Sequence, residues 1–423
     1  MMTFAACRRR APVSPDEVLQ SFRRELAEEE AAETATAIAY LPETVEVPDL
    51  PEISPEERKI LPLDGIPFLV KDLYDVAGWP TTASSAFLAA ELGTPERTSP
   101  LVARLWSLGA VPVGKTHLNE FAYGLSGRNV HFGDCPHPRY RDRIPGGSSS
   151  GSAWGVGKGL VPLALGTDTG GSVRVPAAFC GLWGLRLTPG PWSRQGCFPL
   201  SPSLDTAGWF TGTPEDMAET VRLLLGEGGG PGRELRGLLL DSGVVVSDPY
   251  LAAAYGQTVQ ALGLASDTGF DRIFAVAATD IVTNYVVIQS REAYTVHERW
   301  LDKYRDRYGP AVWARIDRGR HWGPDQVAAA ETARRGLVDL FNGLFEEWDF
   351  VALPAVPTPA PRAADLDEEV RTRLLTLTAP ASLATLPVLT VPVPLPDGLS
   401  GGLQIIFPDG RWEMPRRILE ELV

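Results

Sequence analysis

The sequence predicts an α/β protein: an α/β/α sandwich in which helices cover a central mixed β-sheet. Three observations predict it. Short apolar runs of strand length alternate with longer amphipathic runs of helical period along the chain. Several of the short runs, such as residues 66–71 (IPFLVK), are almost continuously apolar, as strands buried on both faces are. There is no repeat of solenoid period and no sharp break in composition, so one sheet-centred domain is expected. Residues 1–60 read as an N-terminal helical arm with its linker, and residues 61–423 as that single domain.

The elements follow in order. Residues 14–35 (SPDEVLQSFRRELAEEEAAETA) read as a surface helix with Ser14 as N-cap and charges on the exposed face. Residues 41–62, rich in Pro and Glu, read as an extended crossing of the surface. Residues 66–71 form a strand, 100–108 a helix, 111–113 a short strand, 150–159 a helix and 163–166 a strand. Residues 214–225 (PEDMAETVRLLL) are strongly amphipathic, with Pro in the first turn where its missing N–H costs nothing. A Gly/Pro loop is expected over 226–232, and long helices over 286–306 and 325–347. Residues 350–353 read as a strand entering a proline-rich loop, PAVPTPAP. Late buried strands are expected at 388–393 and 403–407.

Composition narrows the function. Hydrophobic residues at 44% and charged residues at 22% place the 423-residue chain among ordinary globular proteins. The formal net charge of −14 argues against nucleic acid or an anionic membrane as a direct partner, because both need basic surface. Cys7, Cys135, Cys180 and Cys197 match neither a zinc ribbon nor a disulfide scaffold and read as reduced thiols of a cytoplasmic protein. Arg8-Arg9-Arg10 is followed by Pro12 and acidic residues, with no apolar h-region of a secretory signal. No run of eighteen apolar residues is present to span a membrane.

Residues 144–189 carry the chemistry (IPGGSSSGSAWGVGKGLVPLALGTDTGGSVRVPAAFCGLWGLRLTP). Ser148, Ser149, Ser150 and Ser152 form one hydroxyl-and-glycine cluster; Thr167 to Ser172 form a second. A phosphate loop fails twice: Ser152 stands at its first glycine and Gly159 where Ser or Thr should follow Lys158. A dinucleotide fingerprint begins at Gly155 and Gly157 but meets Leu160 at the third glycine. A flexible linker is a poor reading, since apolar residues resume at Val161.

Acyl-transfer chemistry fits better. A tetrahedral oxyanion needs aimed N–H donors, and the run Thr169-Gly170-Gly171-Ser172 can turn its peptide units inward without a Cβ clash. Ser172 ends that turn with a hydroxyl, which needs a base. None of the five histidines (His117, His131, His137, His297, His321) lies in either cluster. Lys71, at the end of an apolar strand, is another candidate, because burial lowers a lysine pKa toward neutrality. The alternative for Lys71 is a structural ion pair with Asp72 or another acid.

The segment GGSSSGS…GLVPLALGTDTGGSVRVPAAFCGLWGLR resembles the amidase signature family. The likeness covers roughly residues 61–225, and more loosely LPAVPTPAP and LPVLTVPVPLPDGLSGGLQIIFP. It implies the amidase signature fold and a Ser–cis-Ser–Lys triad. Lys71 in FLVKD stands at the base, Ser148 at the bridging serine, and Ser172 at the nucleophile, 24 residues beyond Ser148 as in the family. A cis peptide between Gly147 and Ser148 is implied as well. The implied mechanism draws a proton from Ser172 through Ser148 to neutral Lys71, with N–H groups of the Thr169, Gly170 and Gly171 turn on the oxyanion. The acyl-enzyme is then hydrolysed by water, with no metal and no cofactor.

Other positions carry two readings. Asp168 and Arg174 match family positions that hydrogen-bond around the triad, and equally suit a salt bridge or turn cap. Ser149 supports the turn. Ala122, in NEFAYG, matches a substrate-lining position and also suits core packing. Cys180 reads as a core thiol, Lys115 and Lys158 as surface or structural cations, and His131, Asp134, Cys135 and His137 as loop residues rather than metal ligands.

The family acts on aryl and aliphatic amides, indoleacetamide, urea derivatives, fatty-acid amides and glutaminyl groups. The segment GCFPLSPSLDTAGWF is similar to that of amidases acting on small arylacetamides, and Trp192, Phe198, Trp209 and Phe210 suit either an aromatic pocket or the core. A small aryl or aliphatic amide is therefore the expected partner, with homodimerisation left open. The alternatives are a glutaminase-type component of a tRNA-dependent amidotransferase, an allophanate-like hydrolase of urea derivatives, and a non-catalytic binding relative. The short middle region (roughly 227–330) disfavours the amidotransferase component, and the intact triad disfavours the non-catalytic relative.

Overall fold

The computed structural model describes residues 1–9, 14–226, 233–244 and 246–422. Eleven strands within them form one mixed sheet. They are β1 (Ile38–Tyr40), β2 (Pro67–Lys71), β3 (Val111–Thr116), β4 (Leu163–Asp168), β5 (Trp183–Arg186), β6 (Thr206–Thr211), β7 (Gly237–Leu239), β8 (Ala265–Ser266), β9 (Phe350–Pro354), β10 (Val388–Pro394) and β11 (Ser400–Ile406). Their order is β1-β3-β2-β4-β6-β5-β10-β11-β9-β7-β8. β2 runs parallel to both β3 and β4, whereas the strands from β4 through β6, β5, β10 and β11 to β9 pair antiparallel.

The near-continuous apolar runs are strands covered on both faces. Every residue of β2, β3 and β4 is buried. Successive side chains of a strand point to opposite faces, and they enter different cores here. Phe68, Val70, Leu163 and Leu165 join one core, with Leu101 and Leu105 of helix Pro100–Ser107 and Met217 and Val221 of helix Pro214–Leu225. Leu69 and Ala164 join the other, with Leu19 and Phe22 of helix Pro15–Leu26 and Trp154 of helix Ser150–Gly157. The sandwich expected from the sequence is what forms.

Several elements depart from the reading of the sequence. The helix expected over 14–35 is two, Pro15–Leu26 and Ala31–Ala37. Ser14 caps the first in a reciprocal capping box with Glu17. The break turns Glu33 inward onto Lys158 at 2.9 Å and delivers residues 38–40 to pair with β3. The extended segment 41–62 contains one helical turn, Pro55–Arg58, capped by Ser54. The helix expected from 286 begins at Ile281 and ends at Leu301. Residues 227–232 of the expected Gly/Pro loop lie outside the described residues. β5, β6 and the helix Arg174–Cys180 had no strand- or helix-like pattern to announce them. In β6 the interruption is Gly208, where a Cβ would stand 2.4 Å from the Leu185 carbonyl oxygen of β5. Close backbone approach, rather than hydrophobic alternation, dictates that residue.

Among the described residues no single helix is long and apolar enough to cross a membrane.

Candidate active site

Lys71 and Thr167 stand near the C-terminal ends of the neighbouring parallel strands β2 and β4, the usual place for a ligand in an open α/β sheet. Lys71 is fully buried, yet no carboxylate among the described residues pairs with it. Its Nζ instead lies 2.7 Å from Ser148 Oγ, 2.9 Å from Ser149 Oγ and 2.7 Å from Thr167 Oγ1. The ion-pair reading of Lys71 fails because Asp72 turns to the other side of the strand and pairs with buried Lys115 at 2.7 Å. Burial without a counter-charge brings the Lys71 amine down to about 7, against a smaller opposing pull from Cys197, Asp168 and Asp205.

The three contacts constrain the protons. A neutral amine has two N–H donors and one lone pair, so one of the three hydroxyls must donate to Nζ. Ser149 Oγ donates to the Thr167 carbonyl (3.2 Å), which leaves Ser148 or Thr167 for that role. The Gly147–Ser148 peptide bond is cis. Asn119 N–H donates to the Ser148 carbonyl, and Ser149 N–H to the Ser172 carbonyl, each at 3.3 Å. The two hydroxyl clusters are thereby tied backbone to backbone. Ser172 Oγ has no hydrogen-bond partner within 3.5 Å among the described residues.

Asp168, at the end of β4, organises the second cluster. Its Oδ1 accepts from Gly171 N–H (2.9 Å), Arg174 Nη2 (2.8 Å) and Arg186 Nη1 (2.9 Å). Its Oδ2 accepts from Val173 N–H (3.0 Å) and Arg174 Nε (3.1 Å). Burial alone would raise this carboxyl, but the two guanidinium groups hold it well below the usual carboxylate range. Asp168 and Arg174 thus form a salt bridge that also caps the Ser172 turn, and among the described residues neither hydrogen-bonds to Lys71, Ser148 or Ser172 themselves. Arg174 extends it to the C-terminal third, donating to the Thr378 carbonyl, Gln404 Oε1 and Ser382 Oγ, each at 2.7 Å.

The turn offers a subset of its N–H groups. Those of Thr169, Gly170 and Ser172 meet no acceptor among the described residues, whereas that of Gly171 is held by Asp168. Gly171 has φ +118°, a conformation that disfavours a side chain. At Gly170 a Cβ would stand 2.1 Å from the hydroxyl of Tyr285, so Tyr285 lies directly against the turn. Thr378 Oγ1 donates to the Gly170 carbonyl at 2.7 Å, and Thr169 Oγ1 to Asp205 at 2.6 Å.

A cavity of about 270 Å³ adjoins this turn. Thr167 and Thr169 form its floor; Leu73, Ala122, Phe198 and Leu200 supply apolar wall. Ala122, part of that wall, is held at φ +60° and its N–H donates to the Asn119 carbonyl. Of the four aromatics suggested by the sequence only Phe198 is there. Trp209 and Phe210 are fully buried in the sheet cores, and Trp192 is 36% exposed. A larger cleft of about 580 Å³, between helix Pro15–Leu26 and residues 59–67, contains none of these groups.

Cys180 is a core thiol, and Lys158 pairs with Glu29 and Glu33. His137 contacts the Phe179 carbonyl and His131 contacts Glu120, while Cys135 is buried. Among the described residues no group of three or more His, Cys, Asp or Glu is arranged to hold a metal. Arg186, Tyr285, Thr378, Ser382 and Gln404 are not among the residues singled out from the sequence, although Arg186 and Gln404 lie in the segments that carry the family likeness; packing between separate elements brings them to the site. Thr167 was within the quoted cluster, and its place on β4 beside β2 could have marked it as a neighbour of Lys71.

The family model for amidases matches residues 29–229 and 256–412. A 2-amino-5-chloromuconic acid deaminase of Comamonas testosteroni is 36% identical over 380 residues, covering 82% of this chain and 78% of that protein. Amidase 1 of Oryza sativa is 28% identical over 403 residues, covering 88% of this chain and 92% of that protein. The crystal structure of an amidase superposes with a TM-score of 0.84 at 27% identity, covering 100% of this chain and 99% of its own.

Proposed function

The chain belongs to the amidase family and hydrolyses amide C–N bonds, and we propose that it does so through a Ser172 acyl-enzyme with Ser148 as proton bridge and Lys71 as base. One observation carries the assignment: a buried lysine with no carboxylate partner, its amine shared among hydroxyls of the serine cluster. Neutral Lys71 takes the proton of Ser148 as Ser148 takes that of Ser172. Ser172 Oγ attacks the amide carbonyl, and the free N–H groups of Thr169, Gly170 and Ser172 are the donors for the oxyanion. Ser148 then protonates the departing nitrogen and is reprotonated by the Lys71 ammonium. Ammonia or an amine leaves, and water activated by the same relay releases the carboxylate.

Asp168, Arg174 and Ser149 position this machinery. Gly171 contributes conformation and Ala122 cavity wall. The apolar part of the cavity wall beside the turn (Leu73, Ala122, Phe198, Leu200) supports a small aryl or aliphatic substituent on the amide, with Phe198 as the aromatic contact, although Arg194 and Asp205 also line the cavity.

A serine-directed fluorophosphonate and ammonia release from a panel of small amides test the assignment together. The expected result is stoichiometric labelling and turnover by the wild-type enzyme, both lost in Ser172→Ala. Labelling retained in that variant excludes Ser172 as the nucleophile.

A further inference from the structure

A third cavity, of about 380 Å³, opens beyond Asn119, Glu120 and Tyr123. Arg315, Arg371 and Leu374 are in its wall. Arg371 is unusual among them. Its side chain is only 15% exposed, yet its guanidinium makes no hydrogen bond among the described residues, and Nε is buried without an acceptor. The carboxylate paired with it, that of Glu368, lies 3.8 Å from Nη1 and is already engaged by Arg315 at 2.8 Å. The other acids of the cavity are committed elsewhere. Glu120 accepts from Gly309 N–H and contacts His131, and Asp367 caps its helix at Val370 N–H. A desolvated guanidinium with idle donors is costly unless an acceptor reaches it.

The helix geometry ties Arg371 to the reactive turn. It lies on Glu368–Leu383, the helix whose Thr378 hydroxyl donates to the Gly170 carbonyl. Seven residues are about two helical turns, which puts both on one face about 10.5 Å apart along the axis. Leu374, between them on that face, lines the cavity. The planar fork of a guanidinium whose N–H groups lack hydrogen-bond acceptors matches one carboxylate in bidentate geometry. A phosphate dianion would face Asp367 and Glu368 with a single guanidinium, itself 3.8 Å from Glu368, to hold it.

We propose that Arg371 binds a carboxylate of the substrate, so that the preferred amides carry an acid group several bonds from the scissile carbonyl. The inference rests on the amide-hydrolysis reading and narrows its substrate class.

The test compares matched amides with and without the acid: adipamate against hexanamide, and N-acetyl-4-aminobutyrate against N-propylacetamide, which put the acid on opposite sides of the bond. Adipate binding is measured separately by calorimetry on the wild type, Arg371→Gln, Arg371→Lys and Ser172→Ala. The expected result is a kcat/KM at least tenfold higher for one acid-bearing member of a pair. In Arg371→Gln that ratio collapses through KM, and Arg371→Lys restores part of it. Adipate binds the wild type and Ser172→Ala and is lost in Arg371→Gln. An equal preference in both pairs, or a preference and adipate affinity that survive Arg371→Gln, overturns the proposal while leaving amide hydrolysis standing. Arg371-dependent adipate binding without turnover of any amide supports the carboxylate site and counts against the amidase reading. If Arg371→Gln fails to fold, failure of wild-type adipate binding or of the wild-type acid preference still refutes it.

Discussion

Removing the Lys71 amine should abolish a pH dependence in both catalysis and stability, and the two can be read from one variant, Lys71→Met. Burial lowers this lysine from 10.5 to about 7. At 1.36 kcal/mol per pH unit that is on the order of 5 kcal/mol against the ammonium form in the folded state. As the proposed base, the amine has to be neutral, so log kcat/KM should rise with unit slope below pH 7 and level above it, leaving about a tenth of the plateau at pH 6. In stability, the folded-state pKa is depressed below the unfolded one. Between about pH 7 and 10.5 the unfolded chain binds more protons, so this group makes stability rise with pH in that window and flat below it. Relative to Lys71→Met, the wild type should gain about 1 kcal/mol between pH 7 and pH 8. The assays are ammonia release from a primary amide between pH 5 and 9, and urea denaturation at pH 6, 7 and 8. Lys71→Met should lose at least a thousandfold in kcat. One other group could imitate the kinetic limb: Glu120, which burial pushes up to about 7. Glu120→Gln should keep the limb. A wild-type profile flat from pH 5 to 7, a limb lost in Glu120→Gln, or near wild-type turnover in Lys71→Met would overturn the assignment of Lys71 as base.

Two further outcomes follow from the packing around Ser172. Asp168→Asn leaves Arg174 and Arg186 buried without their shared counter-charge and should cost about 3–5 kcal/mol in urea denaturation; a loss under 1 kcal/mol would contradict the role of Asp168 as organiser of the turn. Gly170→Ala places a methyl group 2.1 Å from the Tyr285 hydroxyl and 2.5 Å from its Cζ. Turnover should fall at least tenfold, and adding Tyr285→Phe should recover part of it. A strictly additive double-mutant cycle would mean that the two residues do not meet.

Local pattern along the chain marks its fold class and its candidate reactive groups. The alternating runs specify a covered mixed sheet, because strands buried on both faces leave a near-continuous apolar signature, and 66–71 and 388–393 carry it. The two hydroxyl-glycine clusters and Lys71 at the end of an apolar run are legible for a similar reason: each is local, and glycine spacing reports backbone conformation directly. Long-range packing settles what local pattern cannot encode. Whether Lys71 is an ion pair or a free amine depends on which side of the strand Asp72 turns to and on Lys115 being there to receive it. Trp209 and Phe210 suit either a pocket or the core in sequence, and β6 is an interior strand, so both faces deliver them to core. The groups that hold the Ser172 turn (Arg186, Thr378, Ser382, Gln404) and the guanidinium of Arg371 come from other segments, as far as 230 residues away along the chain for Gln404 and Arg174. They meet the site only because the antiparallel half of the sheet carries β10, β11 and the helix Glu368–Leu383 back to the ends of β2 and β4.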